Sequence, residues 1–153
     1  LGGEAGLHIH PKQIEWLHLE TTFASVTGKQ KGGDYLPFVP ANKLHFELRA
    51  EKEQLLFFQQ ANVSLLASTA FTQNHVAPDE SVTKGYTLVD IGIGGNVKAG
   101  RQFVLFRLSV NNLFDKKYID HLSTLKEVNL YNPGRNIALS LKIPFGSAAK
   151  NNL

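Results

Sequence analysis

The sequence contains no cysteine and no methionine. The first absence removes disulfides, thiolate nucleophiles and thiolate-held zinc. No apolar run approaches the roughly 18 residues that a membrane helix needs, so a helical membrane protein is excluded. A membrane β-barrel is not, because its strands alternate and carry no such run. Charge is also scarce, at 19% Asp, Glu, Lys and Arg, against about 25% in an ordinary soluble domain. The net charge of +3 comes with no Lys/Arg-rich run, so a nucleic-acid partner is not expected. Leu1-Gly2-Gly3-Glu4 does not open like a secretory signal. The chain is read as a mature or excised piece.

Enzymatic signatures are missing as well. There is no Gly-x-Ser-x-Gly and no His-Glu-x-x-His. "GIGGNVKAG" is glycine-rich but lies inside an alternating segment with no helix after it, which argues against a phosphate cradle. Gly92, Gly94 and Gly95 are read instead as relieving crowding between strands. Glu4, Glu20, Glu47 and Asp90 fall on different segments and make no supported acid–base pair. Neither an enzyme nor a resident cofactor is expected.

What is present is a period of two. It recurs in seven segments: Gly3–His10, Ile14–Thr27, Asn42–Glu51, Asn62–Gln73, Thr87–Val97, Phe103–Asn112 and Asn136–Phe145. In the sixth, Val104, Phe106, Leu108 and Val110 alternate with Arg107, Ser109 and Asn111. These read as amphipathic strands, each long for a globular protein. Their connections alternate in length. Those around His10–Gln13, Glu51–Gln54 and Lys98–Arg101 are short, while Gly28–Pro40, Asn74–Gly85 and Leu113–Pro133 are long. An up-and-down antiparallel sheet puts alternate connections at opposite ends, so one end is trimmed and the other elaborated. Tyr118–Tyr131 has room for one helical turn.

A soluble sandwich shares this alternation, so the faces must decide. The apolar faces of Val104–Val110 and Ile137–Phe145 carry no charge, and a Lys or Arg facing lipid at midplane costs about 2–4 kcal/mol. Aromatics gather near segment ends, as in the two interfacial girdles of a membrane barrel. Lys43, His45, Glu47 and Arg49 mix signs on one face, which suits charges that neutralise each other in a confined lumen. These features favour a membrane barrel over the sandwich.

Three stretches then carry a family likeness. "VNNLFDKKY", Val110 to Tyr118, resembles the penultimate-strand signature of TonB-dependent outer-membrane receptors. "NPGRNIALSLKIPF", Asn132 to Phe145, resembles their last strand, with its Pro-Gly-Arg start and terminal aromatic. "GDYLPFVPANKLHFELRAE", Gly33 to Glu51, is similar to a loop-then-strand segment of the same family. The resemblance implies an all-β fold: antiparallel up-and-down strands forming the C-terminal third of a barrel of about 22 strands around an N-terminal plug. It implies import of a scarce nutrient (ferric siderophore, haem, cobalamin or glycan) across the outer membrane of a Gram-negative bacterium. The implied partners are the plug and remaining strands, TonB acting through a region ahead of the plug, the lipid bilayer, and an unidentified small-molecule ligand. A different outer-membrane pore, porin or autotransporter, and a soluble sandwich binding module are the alternatives. Residues 1–145 are then the barrel segment. Residues 146–153 form a polar tail, read as vector or fusion sequence with a natural extension as the other reading.

On the external side, Tyr35, His75, Tyr86, Tyr118, His121 and Tyr131 are the candidate ligand contacts. Asp115 is expected to cap the turn that opens the last long loop. His8 and His10 are two apart on a strand and share a face. They are the one candidate metal pair, with no third ligand nearby in sequence and a hydrogen-bonded pair as the plain alternative.

Overall fold

The computed structural model describes residues 1–100 and 102–144. Phe145, the expected terminal aromatic, and the 146–153 tail lie outside the described residues. Seven strands form one sheet in the order β1-β2-β3-β4-β5-β6-β7, every neighbouring pair antiparallel. They are β1 Gly2–Ile9, β2 Leu17–Val26, β3 Lys43–Leu55, β4 Phe58–Ala70, β5 Tyr86–Ala99, β6 Gln102–Asn111 and β7 Asn136–Lys142. The fold is all-β and up-and-down, with three short connections alternating with three long ones. The one helical element among the described residues is a 3-10 turn at Thr124–Lys126, inside the expected window.

The register explains why the alternation is so strict. One row of paired residues crosses the whole sheet: Ile9, Leu19, Leu48, Leu65, Ile91, Val110, Ile137. A parallel row runs through Leu17, Ala50, Val63, Ile93, Leu108 and Leu139. Side chains alternate across a strand, so the residues between these rows face the other way. There the rows are polar, as in Glu51, Asn62, Gly94, Arg107 and Ser140. Leu66, between Glu47 and Asp90, is an apolar exception on that face.

No second layer covers the apolar face. Among the described residues the buried hydrophobics are only Ala41, Ala61 and Ala70, and no large side chain is fully buried. Phe46, Ile93 and Leu139 are exposed at 42%, 41% and 62%. A sandwich would bury such a face against a second sheet.

Several boundaries differ from the sequence reading. β3 runs through Glu51–Gln54 and turns at Leu56-Phe57, where Leu55 pairs with Phe58. Leu56 takes φ 55° there, a conformation that costs an L-residue about 1–2 kcal/mol and that glycine usually signals. Glu51–Gln54 carries no turn residue; its charge alone suggested a loop. Trp16 belongs to the β1–β2 connection, not to a strand. Two successive turns, closed by Ile14 N to Pro11 O and Leu17 N to Ile14 O at 2.9 Å each, occupy it. The β4–β5 ladder shifts register between Gln59 and Asn62, with Gln60 at φ 51°. This bulge sets Phe58 opposite Val97 and near Phe106, ring centroids 6.0 Å apart. The glycines of β5 do relieve crowding: a Cβ on Gly92 would stand 2.8 Å from Ser64 Oγ.

Candidate functional site

The elaborated end of the sheet is built on Asn112. This residue follows β6, is buried, and adopts φ 51°. Its backbone N–H donates to Asp90 Oδ1 at 2.7 Å. Its side chain donates to Lys116 O at 2.9 Å and accepts from Lys116 N at 2.8 Å. Asn112 is therefore the residue that caps this turn, and the assignment to Asp115 is corrected. A carboxylate has no N–H to give the Lys116 carbonyl, whereas an amide serves both groups. Asp115 instead accepts from Arg135 N at 2.9 Å. Nearby, Asn132 N donates to Tyr118 O at 2.9 Å and Asp120 N donates to Asn132 Oδ1 at 2.9 Å. The "NNLFDKKY" and "NPGR" stretches are thus stitched to each other.

Beneath this loop lies a buried charge cluster that pattern reading did not find. His121 Nε2 stands 3.0 Å from Glu80 Oε1, off hydrogen-bond alignment. Lys126 Nζ is 3.4 Å from the same oxygen. Thr83 Oγ1 and His121 Nδ1 are 2.8 Å apart. Burial holds the His121 imidazole below its ordinary value, and the Lys126 ammonium pushes the same way, against Glu80 and Asp120. Burial pushes the Glu80 carboxyl up, but His121, Lys126 and the Ala77 amide outweigh it and hold the group below its ordinary value. The three residues come from two loops, so no local pattern announces them.

Above the cluster a cleft of about 460 Å³ opens among Lys84, Tyr86, Lys116, Lys117, Tyr118 and Tyr131. Gly85 shapes its floor, since a Cβ there would meet Ala70 O and Thr72 N at 2.9 Å. Tyr86 donates its hydroxyl to Asp120 Oδ2 at 2.7 Å and packs on Tyr118, ring centroids 4.5 Å apart. Lys43 pairs with Asp120 at 3.5 Å. Burial, then the nearby Asp120 and Asp90 charges, hold the Tyr118 phenol up in its protonated form. Lys117 Nζ lies 5.9 Å over the Tyr131 ring. Cations and aromatic faces together suit an anionic ligand with planar groups.

Of the six candidate contacts, Tyr86, Tyr118 and Tyr131 share this cleft. Tyr35 and His75 form a separate stacked pair, centroids 4.8 Å apart, with Lys29 over Tyr35 at 4.7 Å. His121 is buried in the charge cluster rather than displayed.

The trimmed end holds the metal candidates. His8 and His10 do share a face, with ring centroids 4.2 Å apart. The expectation of no third ligand is corrected: β2 returns His18 to the same place, Nδ1 at 2.6 Å from His10 Nε2. The antiparallel register brings them together, since Ile9 pairs with Leu19 and the next step along both strands is His10 and His18. Desolvation, then repulsion from His8 and His18, holds His10 below the ordinary imidazole value.

These features define an antiparallel barrel-wall sheet with one elaborated end. Among solved structures, the chain is similar to Copper transporter OprC: TM-score 0.75, 22% identity, over 89% of this chain. It covers 21% of that chain, so it spans about a fifth of that protein's length. The likeness concerns the fold. No protein-family model and no curated protein sequence matches this chain.

Proposed function

We propose that this chain is the C-terminal part of the barrel of a TonB-dependent outer-membrane receptor. The observation that carries the reading is the apolar face, continuous across all seven strands and, among the described residues, covered by no second layer. In water such a face would drive aggregation; in lipid it is the surface the solvent requires. The second sheet that a sandwich needs is absent among the described residues. The porin or autotransporter alternative shares the strands but not the stitched "NNLFDKKY" and "NPGR" stretches. On this reading the polar face lines the lumen, the long loops lie outside the cell, and a plug and further strands complete the barrel in the outer membrane. TonB would act through the plug side.

The loop cleft is then the ligand-capture region contributed by this chain. Its lysines and tyrosines favour an anionic cargo that carries planar groups, and among the nutrient classes a ferric siderophore of the catecholate type, with its negative charge and aromatic rings, fits that description. Growth of a receptor-deleted host, complemented with the whole gene, on single ferric siderophore, haem, cobalamin, glycan or copper sources tests it. Rescue on a ferric siderophore, weakened by Lys116→Ala with Lys117→Ala, is the expected result. Rescue on none of these sources, or rescue indifferent to both lysines, would overturn the cleft assignment.

A further inference from the structure

The three histidines at the trimmed end have no part in the reading above. Their ligating nitrogens all lie within 4.8 Å of one another. Two come from adjacent positions of one face of β1 and its exit, and the third is the second residue of β2. The groups are all imidazole, the donor type preferred by zinc, copper and nickel rather than by calcium or magnesium.

The surroundings of His18 sharpen the case. Glu51 Oε2 stands 3.6 Å from its Nε2. Glu51 is itself held by Arg49 Nε at 3.1 Å. A carboxylate at one imidazole nitrogen draws the proton to that side and leaves the other nitrogen bare. With that tautomer the bare nitrogen of His18 is Nδ1, the one 2.6 Å from His10 Nε2. His8 and His10 are exposed, so the cluster is open to solvent, and three protein ligands leave a fourth position for water. A depression of about 70 Å³ beside them is lined by His8, His18, Glu20, Glu47 and Arg49. The two carboxylates there outnumber the Arg49 cation and leave the depression with net negative charge.

We propose that His8, His10 and His18 bind one divalent, imidazole-preferring transition ion, which clips β1 to β2 at the trimmed end of the sheet. The site is distinct from the loop cleft, and it does not depend on which cargo the cleft takes.

The test is a Cu²⁺ titration of the full chain in detergent micelles, followed by electron paramagnetic resonance. The expected result is a single tight equivalent with nitrogen superhyperfine structure. His10→Ala and His18→Ala each weaken it by about tenfold or more, and Glu51→Gln weakens it by about 10–100-fold, the usual effect of removing an orienting carboxylate. His45→Ala leaves it unchanged, because His45 lies on β3 beside Ser68, away from the cluster. Hydrogen exchange on the same samples is expected to show Cu²⁺-dependent protection across residues 7–19. That protection should vanish when all three histidines are replaced by alanine. Equal Cu²⁺ affinity in the triple variant, or equal loss in His45→Ala, would overturn the proposal.

Discussion

At the scale of single residues, the Glu80–His121–Lys126 cluster makes the clearest claim. The histidine's folded value is depressed from 6.5, so the unfolded loop binds the proton more readily. Its penalty is absent above the unfolded value and grows as pH falls below it. The carboxyl's folded value is depressed from 4.5, so its contribution is present above that pH and is lost as pH falls through the folded value. Both effects have the same sign. Acidification from pH 7 to pH 5 is therefore expected to loosen the loops around residues 77–86 and 119–127, with the histidine acting first. Hydrogen exchange at the two pH values checks it. His121→Gln should flatten the difference over that range, and an unchanged difference would remove the histidine from the account.

At the scale of elements, the two faces of β7 differ by one position in sequence and by everything in surroundings. Leu139 stands in the apolar row beside Leu108, and Ser140 in the polar row beside Arg107. Leu139→Arg is expected to cost about 2–4 kcal/mol in a bilayer if it lies near midplane. Ser140→Arg should cost far less. Folding into liposomes, read by gel mobility or protease protection, compares the two, and equal effects would reverse the face assignment. The strands themselves were legible because period two survives every local propensity: Leu, Ile, Val and Phe positions mark one face in each of them. The β3–β4 turn was not legible. Its tight reversal rests on Leu56 in a conformation its side chain resists, and no Gly, Asn or Pro marks it. The loop site was half legible. Tyr86, Tyr118 and Tyr131 were readable as external ligand contacts, but the salt cluster joins residues 46 positions apart, a distance that only the folded sheet closes. His18 was hidden in the same way, masked by its place inside an apparently ordinary strand.

At the scale of the whole molecule, the sheet is open. Among the described residues β1 and β7 each pair on one side only. Their free backbone groups are a template for another strand. The chain alone in detergent is expected to associate through these edges, giving dimers or larger species by analytical ultracentrifugation. A monodisperse monomer would mean that the edges are capped or that the sheet closes on itself.

The apolar row from Ile9 to Ile137 also bears on how such a chain can change length. A single residue inserted into β6 before Arg107 would put Arg107 and Ser109 where Leu108 and Val110 stand, so an insertion inside a strand inverts the faces unless a bulge absorbs it, as at Gln60. The loops at 71–85 and 112–135 sit outside the ladder and carry no such parity. Variation in length is therefore confined to the end of the sheet where the cleft lies, which leaves the wall constant while the part that meets a ligand is free to be rebuilt.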